Sequence, residues 1–128
     1  MITYKVKVYD NGNKEWYLNN KLHREDGPAL EYADGYKAWF LNGKYHREDG
    51  PAIEYADGTT KWCLNGKYHR VDGPAIEYIN GNKYWFLNGE EVTEQQVMNT
   101  HAVVVIDGKS IPLSRESFDS LKEFFKGK

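Results

Sequence analysis

Tryptophan returns at a constant interval of 23 residues along this chain, at Trp16, Trp39, Trp62 and Trp85. A fixed period of that length is the mark of a repeat architecture. The same register carries Leu18, Leu41, Leu64 and Leu87; Asn19, Asn42, Asn65 and Asn88; His23, His46 and His69; and Tyr9, Tyr32, Tyr55 and Tyr78. Asp26-Gly27-Pro28 recurs as Asp49-Gly50-Pro51 and Asp72-Gly73-Pro74, and Glu31, Glu54 and Glu77 follow in step. About three and a half units fit between Tyr9 and Gly89. A unit this short cannot bury its own apolar face, so it must stack on its neighbours. Positions shared by every unit are therefore expected to build the array.

Within a unit, the run from Pro51 to Gly66 reads as two short strands around Asp57-Gly58, taken as a two-residue type I′ turn. That register sets Ile53 opposite Trp62 and Glu54 opposite Lys61, and so gathers isoleucine and tryptophan on one face. Asn42-Gly43 and Asn65-Gly66 signal a second tight turn, which sets Tyr45 opposite Phe40 and His46 opposite Trp39. Arg47-Glu48-Asp49-Gly50-Pro51 is loop chemistry: aspartate for side-chain to backbone bonds, glycine for unusual φ, proline at a strand start. Each unit is thus a small meander. With strands ~4.8 Å apart, a unit advances the sheet by roughly 10 to 14 Å, and the shared tryptophans stack into a column.

After Gly89 the period stops. Thr93-Glu94-Gln95-Gln96 predicts a capping box and a brief helix. Residues 102–113 predict a hairpin around Asp107-Gly108, and Ser114 is expected to cap a last helix with Phe118, Leu121, Phe124 and Phe125 on one face. The fold class read from the chain is mainly β: an elongated antiparallel β-meander of 23-residue units over 1–89, closed by a cap of short helix, β-hairpin and helix over 90–128.

The run Trp39-Phe40-Leu41-Asn42-Gly43-Lys44-Tyr45-His46 resembles the MORN repeat family and its bacterial and viral variants. The resemblance spans Tyr9 to Gly89. After the histidine, where MORN units carry closely spaced glycines, this chain has Arg47-Glu48-Asp49-Gly50-Pro51-Ala52; the whole string Leu-Asn-Gly-Lys-x-His-Arg-Glu-Asp-Gly-Pro-Ala, from Leu41 to Ala52, is similar to repeat proteins of bacteriophages and large DNA viruses. What the resemblance implies is a sheet of stacked hairpins acting as a docking or scaffolding surface, on membranes in some members. It implies no reaction.

Charge and composition narrow the partners. Nineteen acids against 17 bases, interspersed to a net charge of −2, signal neither a basic nucleic-acid binder nor an acidic mimic of one. The single cysteine, Cys63, rules out an intramolecular disulfide framework. Met1-Ile2-Thr3-Tyr4-Lys5 lacks the apolar core of a leader, and no run reaches the ~18 apolar residues of a membrane span. The expectation is a cytoplasmic protein, in the host cytoplasm if it is viral.

No catalytic constellation emerges. His23-Arg24, His46-Arg47 and His69-Arg70 are the strongest temptation, but an active site is assembled once, whereas a pair present in every unit serves the unit's fold. Anion binding by Arg24, Arg47 and Arg70 is the secondary reading. Neither metal-ligand spacing nor a phosphate-cradling glycine loop is present, so no metal or cofactor is expected. Cys63 stands where other units carry Tyr17, Phe40 and Phe86, and reads as a small apolar substitute.

Positions that vary between units are open to functional choice. They are Asn13, Tyr36, Thr59 and Asn82; Glu15, Ala38, Lys61 and Tyr84; and Tyr17, Phe40, Cys63 and Phe86. Alternation along a strand places them opposite the tryptophans, and the Asn-Gly pairing adds Tyr45 and Tyr68. Tyr17, Tyr36, Phe40, Tyr45, Lys61, Tyr68, Tyr84 and Phe86 are therefore the expected partner-binding residues, the alternative being that this face is a packed layer under the C-terminal helix. The expected function is a non-catalytic protein-binding module, its partner a host defence protein that it blocks if the chain is phage-encoded. Two other readings stand beside it: nucleic-acid or nucleotide binding through the aromatic face and the His-Arg rows, and a MORN-type membrane or phosphoinositide scaffold. An open edge strand also leaves room for a homodimer.

Overall fold

The computed structural model describes residues 2–101 and 103–112. It is mainly β, with a ten-stranded antiparallel meander sheet as its body. Strand β1 (Tyr4–Val8) pairs with β2 (Lys14–Leu18), Val6 opposite Trp16. The short β3 (Lys21–Leu22) branches from β2, and β4 (Leu30–Glu31) continues the sheet. Each following unit contributes two strands: β4 with β5 (Lys37–Ala38), then β8 (Ile53–Glu54) with β9 (Thr60–Lys61), then β12 (Ile76–Glu77) with β13 (Lys83–Leu87). The far edge is β14 (Glu90–Val92).

Every inner unit also carries an Asn-Gly hairpin that stands apart from this sheet. Strand β6 (Phe40–Leu41) pairs with β7 (Lys44–Tyr45), and β10 (Cys63–Leu64) with β11 (Lys67–Tyr68). Asn42 and Gly43 have φ of 52° and 79°, as a type I′ turn requires, and the expected pairing of Phe40 with Tyr45 is found. The tryptophan is the pivot. Trp39 lies between β5 and β6, and its N–H donates to the carbonyl of Ala52 in the next unit at 2.8 Å.

The Asp-Gly hairpin differs from the expectation by one residue. Ile53 pairs with Lys61, not Trp62, and Glu54 with Thr60, not Lys61. The loop holds three residues, Ala56, Asp57 and Gly58: the Gly58 N–H donates to Tyr55 O at 3.0 Å, and the Tyr55 N–H to Thr59 O at 2.9 Å. Only Gly58 is left-handed, at φ 97°, so this is a type I turn closed by a glycine bulge. Asp57 favours it because its Oδ1 accepts from the Thr59 N–H at 2.8 Å; Asp34 does the same for Tyr36. Side chains alternate along a strand, so this single step transfers the whole isoleucine row to the other face.

The core follows from that transfer. Leu30, Ala38 and Phe40 are buried together with Ala29, and Ile53 and Cys63 with Ala52. Tyr32, Tyr36, Tyr45, Tyr55 and Tyr68 pack around these two clusters. The leucine and isoleucine row therefore pairs with the variable positions, Leu30 with Ala38 and Ile53 with Lys61, while Trp16 and Leu22 pack against the edge of the first cluster. Burying each of Leu30, Ile53 and Ile76 contributes about 1.5–3 kcal/mol.

Three of the four tryptophans, Trp16, Trp39 and Trp62, carry a guanidinium. The Cζ of Arg24, Arg47 and Arg70 lies 3.9, 3.9 and 4.0 Å from the ring centroids of Trp16, Trp39 and Trp62. Neighbouring units are then clasped by histidine. His23, His46 and His69 each accept, at Nδ1, the N–H of Asn42, Asn65 or Asn88 in the next Asn-Gly turn, at 2.9 to 3.0 Å. Nδ1 is thus an acceptor, which places the ring proton on Nε2, facing Glu25 from His23 and Glu48 from His46.

Beyond the array, helix α1 (Glu94–His101) begins at the expected capping box. Thr93 Oγ1 accepts from the Gln96 N–H at 3.1 Å, and Gln96 Oε1 from the Thr93 N–H at 2.8 Å. The helix packs on β13 and buries Val97 and Met98. Strands β15 (Val103–Ile106) and β16 (Lys109–Pro112) form the expected hairpin, here with both Asp107 and Gly108 at positive φ. The helix expected from Ser114 lies outside the described residues.

Candidate functional site

A run of tyrosines covers the core along the face that also holds the variable positions. Tyr32, Tyr36 and Tyr55 follow one another with ring centroids 5.4 Å apart at each step, alternating between a shared and a variable position of the unit. Phe40 and Tyr45 lie against each other at 4.3 Å, Tyr68 and Phe86 at 5.2 Å, and Tyr78 meets Tyr84 edge-on at 5.9 Å. An open cleft of about 560 Å³ runs beside the first three, lined by Leu30, Tyr32, Asp34, Tyr36, Tyr55 and Asp57.

The variable position at the centre of each strand gives this face its charge. In the first unit it is Glu15, whose Oε1 accepts from the hydroxyls of Tyr9 and Tyr17 at 2.9 and 2.8 Å and whose Oε2 accepts from Tyr32 at 3.3 Å. Burial works against the Glu15 carboxylate, yet the three hydroxyls outweigh it and hold the group below its ordinary pKa. The same bond pushes the Tyr17 hydroxyl up to about 12. Burial, with a hydrogen bond to Tyr45, raises Tyr36 as well.

Two units further on the position is Lys61. Its Nζ lies 5.2 Å from the ring centroid of Tyr55 and 5.9 Å from that of Tyr78. Burial opposes its charge, but the Tyr55 hydroxyl and the neighbouring Tyr68 and Tyr78 hold the ammonium above its ordinary pKa. Cys63, next on the same face, is 2 % exposed, and its thiol is pushed up to about 11 by burial.

The structure places the eight expected partner-binding residues at three depths. Phe40 is 7 % exposed and belongs to the core, because the bent strand folds it under Tyr45. Tyr17, Tyr36, Tyr45, Lys61, Tyr68 and Phe86 are half-buried, and Tyr84 is exposed. Sequence reasoning missed Tyr32, Tyr55 and Tyr78, which it grouped with the tryptophans, and Glu15 as their hydrogen-bond acceptor. The signal for them was the glycine three residues after each tyrosine, at Gly35, Gly58 and Gly81, preceded by Asp or Asn, which also fits a three-residue loop.

The opposite face holds a groove of about 710 Å³ between two successive loops, bordered by Arg24, Asp26, Trp39, His46, Arg47 and Asp49. Its guanidinium groups are already engaged. Arg47 donates from Nε to Asp49 at 3.0 Å and from Nη1 to the Pro51 carbonyl and to Glu54 at 3.1 and 3.0 Å, all while lying on Trp39. Arg24 repeats the set with Asp26, Pro28 and Glu31, and Arg70 with Asp72 and Pro74. Through Nε and Nη1, Arg24, Arg47 and Arg70, the expected anion-binding residues, hold the loop that closes each unit.

Among the described residues no group of three histidine, cysteine or acidic side chains could hold a metal ion, and no helix is long and apolar enough to cross a membrane. Compared with known proteins, the chain matches no family model, no curated protein and no solved structure.

Proposed function

We propose that this chain is a non-catalytic, MORN-like repeat module that binds a polypeptide partner on its tyrosine face, and that the partner is a host protein which it blocks. The observation that carries the reading is the unbroken run Tyr32, Tyr36, Tyr55 beside an open cleft, on the face where the units differ from one another. Tyrosines of this kind supply large, rigid, amphipathic contact area at little entropic cost, and aromatic side chains are enriched in interface cores. Asp34 and Asp57 at the cleft, with Glu15 along the face, set it against a phosphate backbone, which favours a polypeptide over a nucleic acid. The arginines that a phosphoinositide site would draw on are held by their own loops.

The test is capture from host lysate by the wild-type chain beside Tyr36→Ala/Tyr84→Ala, with circular dichroism confirming that both are folded. The wild type is expected to retain a polypeptide that the double variant loses. Retention of the same polypeptide by both would remove this face from consideration.

A further inference from the structure

Lys61 stands where the pleat calls for an apolar side chain. In β9 it is the cross-strand neighbour of Ile53 on one side and of Ile76 on the other, both buried. The equivalent positions hold Glu15, Ala38 and Tyr84. Its stem crosses this apolar row and its ammonium emerges among the rings of Tyr55 and Tyr78. The residue beside it on the same face is the small, buried Cys63 where other units carry an aromatic ring.

Glu15 and Lys61 are treated differently by their surroundings. Three tyrosine hydroxyls satisfy the Glu15 carboxylate. Lys61 meets tyrosines as well, but no carboxylate: among the described residues the ion pairs engage Arg24, Arg47, Arg70, His23, His46 and Lys83. A half-buried ammonium set into an apolar row, with no carboxylate partner among the described residues, breaks the local apolar patterning, as the tyrosine-bound Glu15 does in the first unit. Such departures concentrate at functional sites.

We infer that Lys61, framed by Tyr55 and Tyr78, receives a single carboxylate side chain of the polypeptide partner. The inference rests on the tyrosine face being the binding face and names the chemistry of its occupant. A carboxylate there accepts a charge-assisted hydrogen bond from Nζ, with the tyrosine hydroxyls as further donors. One carboxylate fits better than a polyanion, because Lys61 is one cation on a face that also presents Glu15, Asp34 and Asp57.

The experiment is an NMR titration of the ¹⁵N-labelled full chain with a blocked Gly-Phe-Glu-Phe-Gly peptide, its Gln counterpart and inorganic phosphate, all at constant ionic strength. Saturable shifts of the Ile53 and Ile76 amides are expected with the Glu peptide. They should be about tenfold weaker in affinity with the Gln peptide or phosphate, and in Lys61→Met, while Lys61→Arg retains them. Equal affinity for the Glu and Gln peptides, phosphate binding as tight as the Glu peptide, or an unchanged response in Lys61→Met each overturns the inference. Should Lys61→Met not fold, the comparison of the peptides on the wild type decides by itself. Absence of a carboxylate response while Tyr36→Ala/Tyr84→Ala still abolishes partner capture sinks this inference alone. A carboxylate response with capture unaffected by the tyrosines sinks the binding-face reading instead.

Discussion

The guanidinium carbon of Arg47 sits over Trp39, 3.9 Å from the ring centroid, and close against Gly50. A Cβ at Gly50 would stand 2.7 Å from that carbon, so the glycine is there to let the loop close over a planar cation. The same layering of indole, guanidinium and glycine recurs with Trp16, Arg24 and Gly27 and with Trp62, Arg70 and Gly73. This is why a tryptophan face opposite the core needs no second sheet to cover it.

Arg47→Lys keeps the charge but loses the planar stack and the forked donors, and is expected to destabilise the chain by about 1–2 kcal/mol in urea denaturation. Gly50→Ala should cost about as much, because it lifts the guanidinium from Trp39 and from its three acceptors. Stability equal to wild type in both variants would show that the layer contributes nothing.

The histidine clasp is local and can be tested amide by amide. His46→Ala removes the acceptor of the Asn65 N–H. Native-state hydrogen exchange at Asn65 should accelerate about fivefold, for a hydrogen bond worth roughly 1 kcal/mol, while Asn42 and Asn88, held by His23 and His69, keep their protection. Acceleration at all three sites would mean that the clasp acts through global stability.

Cys63 is expected to be unreactive in the folded chain. Its thiol is buried and pushed up to about 11 from an ordinary 9.0, so the nucleophilic thiolate is scarce near neutral pH. Ellman's reagent should label it at pH 8 only once the chain is unfolded. Because the folded state holds the proton more tightly, the associated stability is complete below about pH 9 and is lost as pH rises through about 11. Cys63→Ala should abolish that part of the alkaline loss; an unchanged alkaline slope would assign it elsewhere.

Glu15 works in the opposite direction. Its folded pKa is lowered, so its contribution is present above the ordinary carboxylate range and lost as pH falls through the lowered value. Glu15→Gln should flatten the acid limb of the stability curve and return the Tyr17 hydroxyl toward an ordinary 10.0, read by ultraviolet titration.

Replacing Lys61 by Met fills the apolar row between Ile53 and Ile76 and should raise the melting temperature by a few degrees. A residue whose loss stabilises the fold is one that the fold does not require. A lower melting temperature would make Lys61 part of the scaffold.

Much of this was legible in the chain because it is local. Within each 23-residue period the Asn-Gly turns at Asn42 and Asn65, and beyond it the reciprocal Thr93–Gln96 cap and the hairpin at Asp107, each depend on residues a few positions apart. The variable positions could be grouped for the same reason, since alternation along one strand is a local rule. Which shared residues join them was not local. Asp57-Gly58 and Asp107-Gly108 are the same dipeptide, yet the first closes a three-residue loop with aspartate at negative φ and the second a two-residue turn with both residues left-handed. Only the pairing of Ile53 with Ala38 of the preceding unit and Lys61 of its own selects between them, because one choice buries the isoleucine and the other exposes it. The tertiary structure thus decided that isoleucine and tyrosine pack together in the core, that arginine covers Trp16, Trp39 and Trp62, and that Lys61 emerges among tyrosines with no carboxylate partner among the described residues.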